Sequence, residues 1–210
     1  LQAWHVTRPS ARWTLVYFGG NGEEASRALP GLMQIGDHNY LAANPRGYGD
    51  STGRPSESAL VEDAVATLDW LWRDGAVSPR STVLVGRSLG SSLAVHAAAR
   101  RDVAGVVLLN PMDSIAEVAA SHYPIFPVRT LIRHKFDSAA VAGKVTAPTL
   151  VFKAERDAVV PHKHTDALMA VWPVAANVVT LRGTTHNAML TPRFFAAVND
   201  WLRRLDETGG

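Results

Sequence analysis

The sequence predicts an α/β protein built on a mostly parallel sheet. Three observations carry the prediction. Short apolar runs rich in β-branched residues, at Thr82 to Val85, Val103 to Leu109 and Pro148 to Lys153, read as strands buried on both faces. Between such runs lie segments with apolar residues at helical spacing, as at Val61, Ala64, Val65, Leu68, Leu71 and Trp72. Clusters of Gly, Pro, Asn and Asp punctuate the boundaries, and no internal repeat or low-complexity stretch interrupts the alternation.

Taken in order, Leu1 to Val6 reads as an edge strand and Arg8-Pro9-Ser10-Ala11 as a turn. Trp13 to Phe18 is a buried strand running into Gly19-Gly20-Asn21-Gly22, and Ala25, Ala28, Leu29 and Leu32 predict a helix. Tyr40 to Ala43 is a third strand, leaving into a loop from Asn44 to Gly53 that must turn tightly several times. The helix carrying Val61 and Trp72 stops at Asp74-Gly75, where Gly serves as the cap. After the strand at Val103 to Leu109, the stretch of about 112–145 breaks the rhythm with Tyr123, Pro124, Phe126 and Pro127. It reads as a short cap inserted between strands. The strand ending at Lys153 delivers Glu155-Arg156-Asp157. A helix with Leu168, Met169 and Trp172, a strand from Asn177 to Leu181 and an amphipathic helix with Phe194, Val198, Trp201, Leu202 and Leu205 complete the chain.

At 210 residues the chain fits one domain spanning 1–210, with 47% hydrophobic and 19% charged residues, an ordinary balance for a globular protein. A net charge of +2 without a Lys/Arg run argues against a nucleic-acid partner. The absence of cysteine removes disulfides, thiolate metal sites and cysteine nucleophiles. His162-Lys163-His164 places its imidazoles on different sides of a helix, a poor metal site, so no metal is expected. The histidines before His186, including His162 and His164, are expected on helix or loop surfaces. The chain starts at Leu1, already in apolar sequence, which points to an upstream segment. Membrane association is expected only through such a segment, and the cytoplasm is the expected compartment.

The chemistry centres on Gly86-Arg87-Ser88-Leu89-Gly90, which follows the strand at Thr82 to Val85 and opens a run rich in Ala and Leu. This is the G-x-S-x-G nucleophile elbow in its strand-turn-helix context. A serine in a strained turn needs neighbours two positions away that let other backbone approach closely, which Gly permits. The plain reading is a Gly-rich turn with an incidental serine, and the flanking strand and helix weigh against it. Serine becomes a nucleophile only when a base takes its proton and a third group fixes that base. Asp157 and His186 each follow a strand, in the chain order Ser, acid, His. Asp113, after the strand at Val103 to Leu109, is a rival for the acid.

A dinucleotide fingerprint competes at Gly20-Asn21-Gly22-Glu23-Glu24-Ala25, but the next strand ends in Asn44 rather than the acid that would hold a ribose. That reading also leaves Ser88, Asp157 and His186 without a role.

Six motifs carry a family resemblance: YFGGNGE, NPRGYGDSTGRPS, GRSLGSS, NPMDSI, ERDAVVP and GTTHN. With them the chain resembles the α/β-hydrolases, and looks closest to the single-domain serine hydrolases of the ABHD13/Bem46 kind. The resemblance implies the α/β-hydrolase fold: a mostly parallel sheet, helices on both faces and a short cap insertion. It implies Ser88 as nucleophile, Asp157 as orienting acid and His186 as base. Backbone N–H groups of Leu89 and Asn21 are expected to form the oxyanion hole. Relatives commonly carry His-Gly-Asn where this chain has Gly19-Gly20-Asn21, and they carry strands before Leu1 at the sheet edge.

The expected function is hydrolysis of carboxylic esters or thioesters, with a small acyl ester or thioester as substrate and no cofactor. The alternatives are a catalytically silent binding protein of this fold, or an amidase or peptidase. Tyr123 and Phe126 are expected to form an apolar wall over the site that contacts the substrate.

Overall fold

The computed structural model describes residues 1–208. Seven strands form one sheet: β1 (Gln2–Val6), β2 (Thr14–Phe18), β3 (Asn39–Asn44), β4 (Thr82–Arg87), β5 (Gly105–Leu109), β6 (Thr149–Arg156) and β7 (Asn177–Thr185). Their order across the sheet is β1-β3-β2-β4-β5-β6-β7. Only β1 is antiparallel, paired with β3; every other neighbour is parallel. The burial follows from position. In β2 and β5 every residue is buried, because helices cover both faces, whereas β1 at the edge alternates half-buried and exposed residues.

Among the described residues, eight α-helices supply the layers and connections: α1 (Leu29–Leu32), α2 (Glu57–Trp72), α3 (Leu89–Ala98), α4 (Ile115–His122), α5 (Val128–Leu131), α6 (Ala139–Ala142), α7 (His162–Ala170) and α8 (Pro192–Thr208). One face of the sheet packs on α2, α3 and α7 through Leu60, Leu68, Leu93 and Leu168. The other packs on α8 and on residues 25–35 through Leu29, Leu32, Phe194, Val198 and Trp201. The contact with α8 is close: a Cβ on Gly105 would lie 2.5 Å from the Trp201 ring. Phe152 of β6 and Phe194 of α8 add an aromatic pair with centroids 4.8 Å apart, worth about 1 kcal/mol beyond area burial.

The fold departs from the sequence expectations in three places. The helix expected across Ala25 to Leu32 is broken into a 3₁₀ turn over residues 25–28, the single turn of α1 and a second 3₁₀ turn over 33–35. Pro30 has no N–H to extend a helix from the preceding turn. Strands β6 and β7 run beyond their apolar cores to Arg156 and Thr185, pairing there after a register shift at Ala154/Arg156. Polar residues at the sheet edge hid this extension, and it places Asp157 and His186 side by side. Finally, His96 and His164 are buried rather than at the surface. His164 lies between Asp113, 2.9 Å from Nδ1, and the Ser121 hydroxyl, 2.6 Å from Nε2, joining α7 to α4.

Candidate active site

Ser88 sits between β4 and α3 with φ 52 and ψ −118, a conformation that non-glycine residues rarely adopt. Its surroundings impose the strain. Ser88 N–H donates to Leu109 O at 2.9 Å, tying the turn to β5. A Cβ on Gly90 would lie 2.0 Å from Phe18 O, and one on Gly86 would lie 2.5 Å from Gly90 O. Both glycines are therefore steric requirements of this turn, for the reason the pentapeptide suggests. The turn stands the Ser88 hydroxyl at the carboxyl end of the central strands, with α3 beginning at the next residue.

His186 and Asp157 meet it there. His186 Nε2 is 3.0 Å from Ser88 Oγ, and His186 Nδ1 is 2.8 and 3.0 Å from the two Asp157 carboxylate oxygens. The His186 and Asp157 side chains are 10% and 1% exposed, so solvent competes little for these contacts. Burial opposes ionisation of Asp157, but His186 and the N–H groups of Val160 and Val159 outweigh it and hold its carboxyl below the ordinary value. The Asp157 charge thus persists across the neutral range, facing the ring nitrogen remote from serine. Such a line of hydroxyl, imidazole and carboxylate can draw a proton from Oγ and stabilise the imidazolium that forms. The rival acid is occupied elsewhere: Asp113 Oδ1 faces His164 and accepts the Ser114 N–H at 2.7 Å.

Asn110 supports this line, and the sequence reading did not single it out. It is buried, with φ 48. Its Oδ1 accepts the Ala154 N–H at 2.8 Å, and its Nδ2 donates to His186 O at 3.2 Å. One side chain thereby ties the end of β5 to β6 and to the histidine loop. The Asn-Pro step at the end of an apolar run was the available signal, since Asn is among the non-glycine residues enriched in left-handed positions.

A cleft of about 360 Å³ opens beside Ser88, lined by Asn21, Leu89, Leu60, Met112, Ile115, Val118, Phe136, Val159 and Val160, with Tyr48, Glu57 and His134 among its polar residues. Asn21 and Leu89 thus lie on the same cleft as Ser88, and the Tyr48 hydroxyl donates to Asn21 Oδ1 at 2.8 Å. Arg46, in the same loop as Tyr48, is held by two-pronged contacts to buried Asp63 of α2.

Tyr123 and Phe126 correct the sequence expectation. They are 59% and 63% exposed and do not line this cleft. Ile115 and Val118 of α4 line the cleft with Ser88 instead, while Tyr123, Ile125 and Phe126 in the Pro-rich turn after His122 are exposed. Phe126 borders a separate cavity with Pro124 and Pro127. Among the described residues, no three His, Asp or Glu side chains converge in a metal-binding arrangement.

Comparison with known proteins places these features in a family. A family model described as alpha/beta hydrolase fold matches residues 18–130. An uncharacterized protein of Mycobacterium tuberculosis, Rv2307c, is 35% identical over 184 residues, covering 87% of this chain and 66% of its own length. Human alpha/beta hydrolase domain-containing protein 17C is 32% identical over 184 residues, covering 85% of this chain and 54% of its own. The chain therefore spans between half and two thirds of these curated relatives. Among solved structures, Est1E from Butyrivibrio proteoclasticus, with ferulic acid bound, superposes with a TM-score of 0.80 at 18% identity. The match covers 98% of this chain and 95% of Est1E.

Proposed function

The chain belongs to the alpha/beta hydrolase fold family, and on that premise we propose that it cleaves carboxylic ester or thioester bonds through an acyl-enzyme on Ser88. The observation that carries the proposal is the unbroken line from Ser88 Oγ through His186 to Asp157, at 3.0 and 2.8 Å. Ser88 Oγ attacks the acyl carbonyl carbon while His186 Nε2 takes the hydroxyl proton. The carbonyl oxygen becomes an oxyanion that receives the backbone N–H groups of Leu89 and Asn21, each worth about 3 kcal/mol in such sites. The tetrahedral species collapses, the bond to the leaving group breaks, and His186 returns the proton to the departing oxygen or sulfur. Water then repeats the sequence on the acyl-enzyme, releasing the acid and restoring Ser88. Asp157 holds the imidazole in the tautomer each step needs.

The cleft supports an acyl substrate. Its walls beside Ser88 are apolar, and its volume is near the lower end of the range of about 300–1,000 Å³ common for small-molecule sites. A short or medium acyl group fits against Met112, Ile115 and Val118. The test is hydrolysis of a panel of aryl esters and acyl thioesters of increasing chain length, with wild type and Ser88→Ala. The proposal expects short chains to be preferred and Ser88→Ala to fall to a residual rate while folding normally. A folded Ser88→Ala protein that retains the wild-type rate overturns it.

A further inference from the structure

Gly19 and Gly20 precede Asn21 with no side chains of their own to anchor the loop. Two adjacent glycines leave the backbone wide conformational freedom, so an unsupported loop would turn the Asn21 N–H away much of the time. The structure supplies the support from beneath. Glu23 Oε2 accepts the Gly20 N–H at 2.6 Å and two N–H groups of Arg87, at 2.8 Å from Nη2 and 3.1 Å from Nε. Glu23 Oε1 accepts the hydroxyl of buried Tyr17 at 2.9 Å. The Glu23 and Arg87 side chains are 15% and 21% exposed, and neither lines the cleft.

The position of Arg87 gives the pair its reach. It immediately precedes Ser88, and its Nη1 lies 3.4 Å from Oδ1 of Asn187, the residue after His186. From the residue before Ser88, one guanidinium therefore reaches Glu23 beside the oxyanion loop and Asn187 in the histidine loop. The glycines make room for it: a Cβ on Gly20 would lie 3.3 Å from Arg87 Nη2, and one on Gly19 would lie 3.2 Å from Glu23 Oε2. A largely enclosed ion pair is weak evidence of a stabilising role, because desolvation offsets its attraction. Its placement among three loops that meet at Ser88 indicates a different one.

We infer that Glu23, clamped by Arg87, is a positioning residue that holds Gly19-Gly20 so that the Asn21 N–H stays aimed at the developing oxyanion. The inference rests on the serine-hydrolase reading above. It predicts losses in transition-state stabilisation rather than in substrate binding, because neither side chain reaches the cleft.

The test uses Glu23→Gln, which keeps the shape and removes the charge, and Arg87→Lys, which keeps the charge and removes the fork. Removing a whole oxyanion donor costs about 10²–10³ in kcat, so a misaligned one is expected to cost about 10–100-fold. KM for an aryl ester stays within about twofold, as expected when ground-state contacts are untouched. Affinity for a trifluoromethyl ketone, which forms a tetrahedral adduct on serine, falls with kcat. The acid limb of the pH profile does not move, since Glu23 makes no contact with His186. The double variant is no worse than the worse single one, because the two residues act as a unit.

A folded Glu23→Gln protein with wild-type kcat and ketone affinity overturns the inference, even if its Tm is lower. So does a loss confined to KM. If Glu23→Gln does not fold, Arg87→Lys is judged by the same two criteria. A wild type that fluorophosphonate leaves unlabelled overturns the serine-hydrolase reading and the clamp with it. A labelled wild type beside an equally fast Glu23→Gln overturns the clamp alone.

Discussion

Replacing Asp157 by asparagine removes the charge facing His186 and substitutes an amide that can offer an N–H to the same ring nitrogen. Both Asp157 oxygens lie within 3.0 Å of His186 Nδ1, so the amide presents an N–H to that ring nitrogen whichever way it turns. Oδ1 also accepts the N–H groups of Val159 and Val160, at 2.9 and 2.8 Å. Those backbone donors keep the amide oxygen on their side and turn the NH₂ toward His186. The ring then places its proton on Nε2, where it cannot accept the Ser88 proton. In the serine-protease triad the equivalent change costs about 10⁴ in kcat, or about 5.4 kcal/mol at about 1.36 kcal/mol per decade. A loss of that order is expected here, with the fold retained.

The control is Asp113→Asn, which disturbs the contact to His164 at 2.9 Å and leaves the Ser88 line intact. It is expected to lower stability by about 1–3 kcal/mol, the range for a disturbed buried hydrogen bond, with kcat changed only a few-fold. Steady-state hydrolysis of an aryl ester and thermal unfolding followed by circular dichroism separate the two effects. If Asp113→Asn is the crippled enzyme and Asp157→Asn is near normal, the assignment of the acid is refuted.

Val118→Phe narrows the cleft and should lower the kcat/KM ratio of long-chain to short-chain esters by about fourfold per excluded methylene, from about 0.8 kcal/mol each. Phe126→Ala, outside the cleft, should leave that ratio unchanged; a shift in Phe126→Ala without one in Val118→Phe would return the selecting wall to the Pro-rich turn. Burial pushes the His96 imidazole below its ordinary value of 6.5, so the unfolded chain takes up that proton first as pH falls. Stability should therefore decline from pH 6.5 down through the lower folded value. Thermal scans should show a flatter Tm below pH 6.5 in His96→Leu, and an unchanged slope would remove His96 from the account.

The serine turn was legible because its demands are local. A strained residue between strand and helix requires Gly at positions 86 and 90, and both leave a visible pattern. Asp157 and His186 were legible through order and strand position. What fixes them was not: Asn110 bonds across β5, β6 and the histidine loop, contacts far apart in sequence. The Glu23–Arg87 pair is hidden for the same reason, since 64 residues separate its members. Asp113 and His164 looked like a spare acid and a surface histidine until the packing of α4 against α7 brought them together. The cap misled in a different way. Apolar residues near prolines indicate a surface feature, but helical turns this short carry no periodicity to say which side faces the site.

The most direct measurement is intact-mass and peptide analysis of the protein after reaction with a fluorophosphonate, which forms a stable phosphonyl ester only with an activated serine. One adduct per chain is expected, located on Ser88 among all the serines, formed fast in wild type and far more slowly in Asp157→Asn. A folded protein that remains unlabelled, or one whose label lies on a serine other than Ser88, would contradict it.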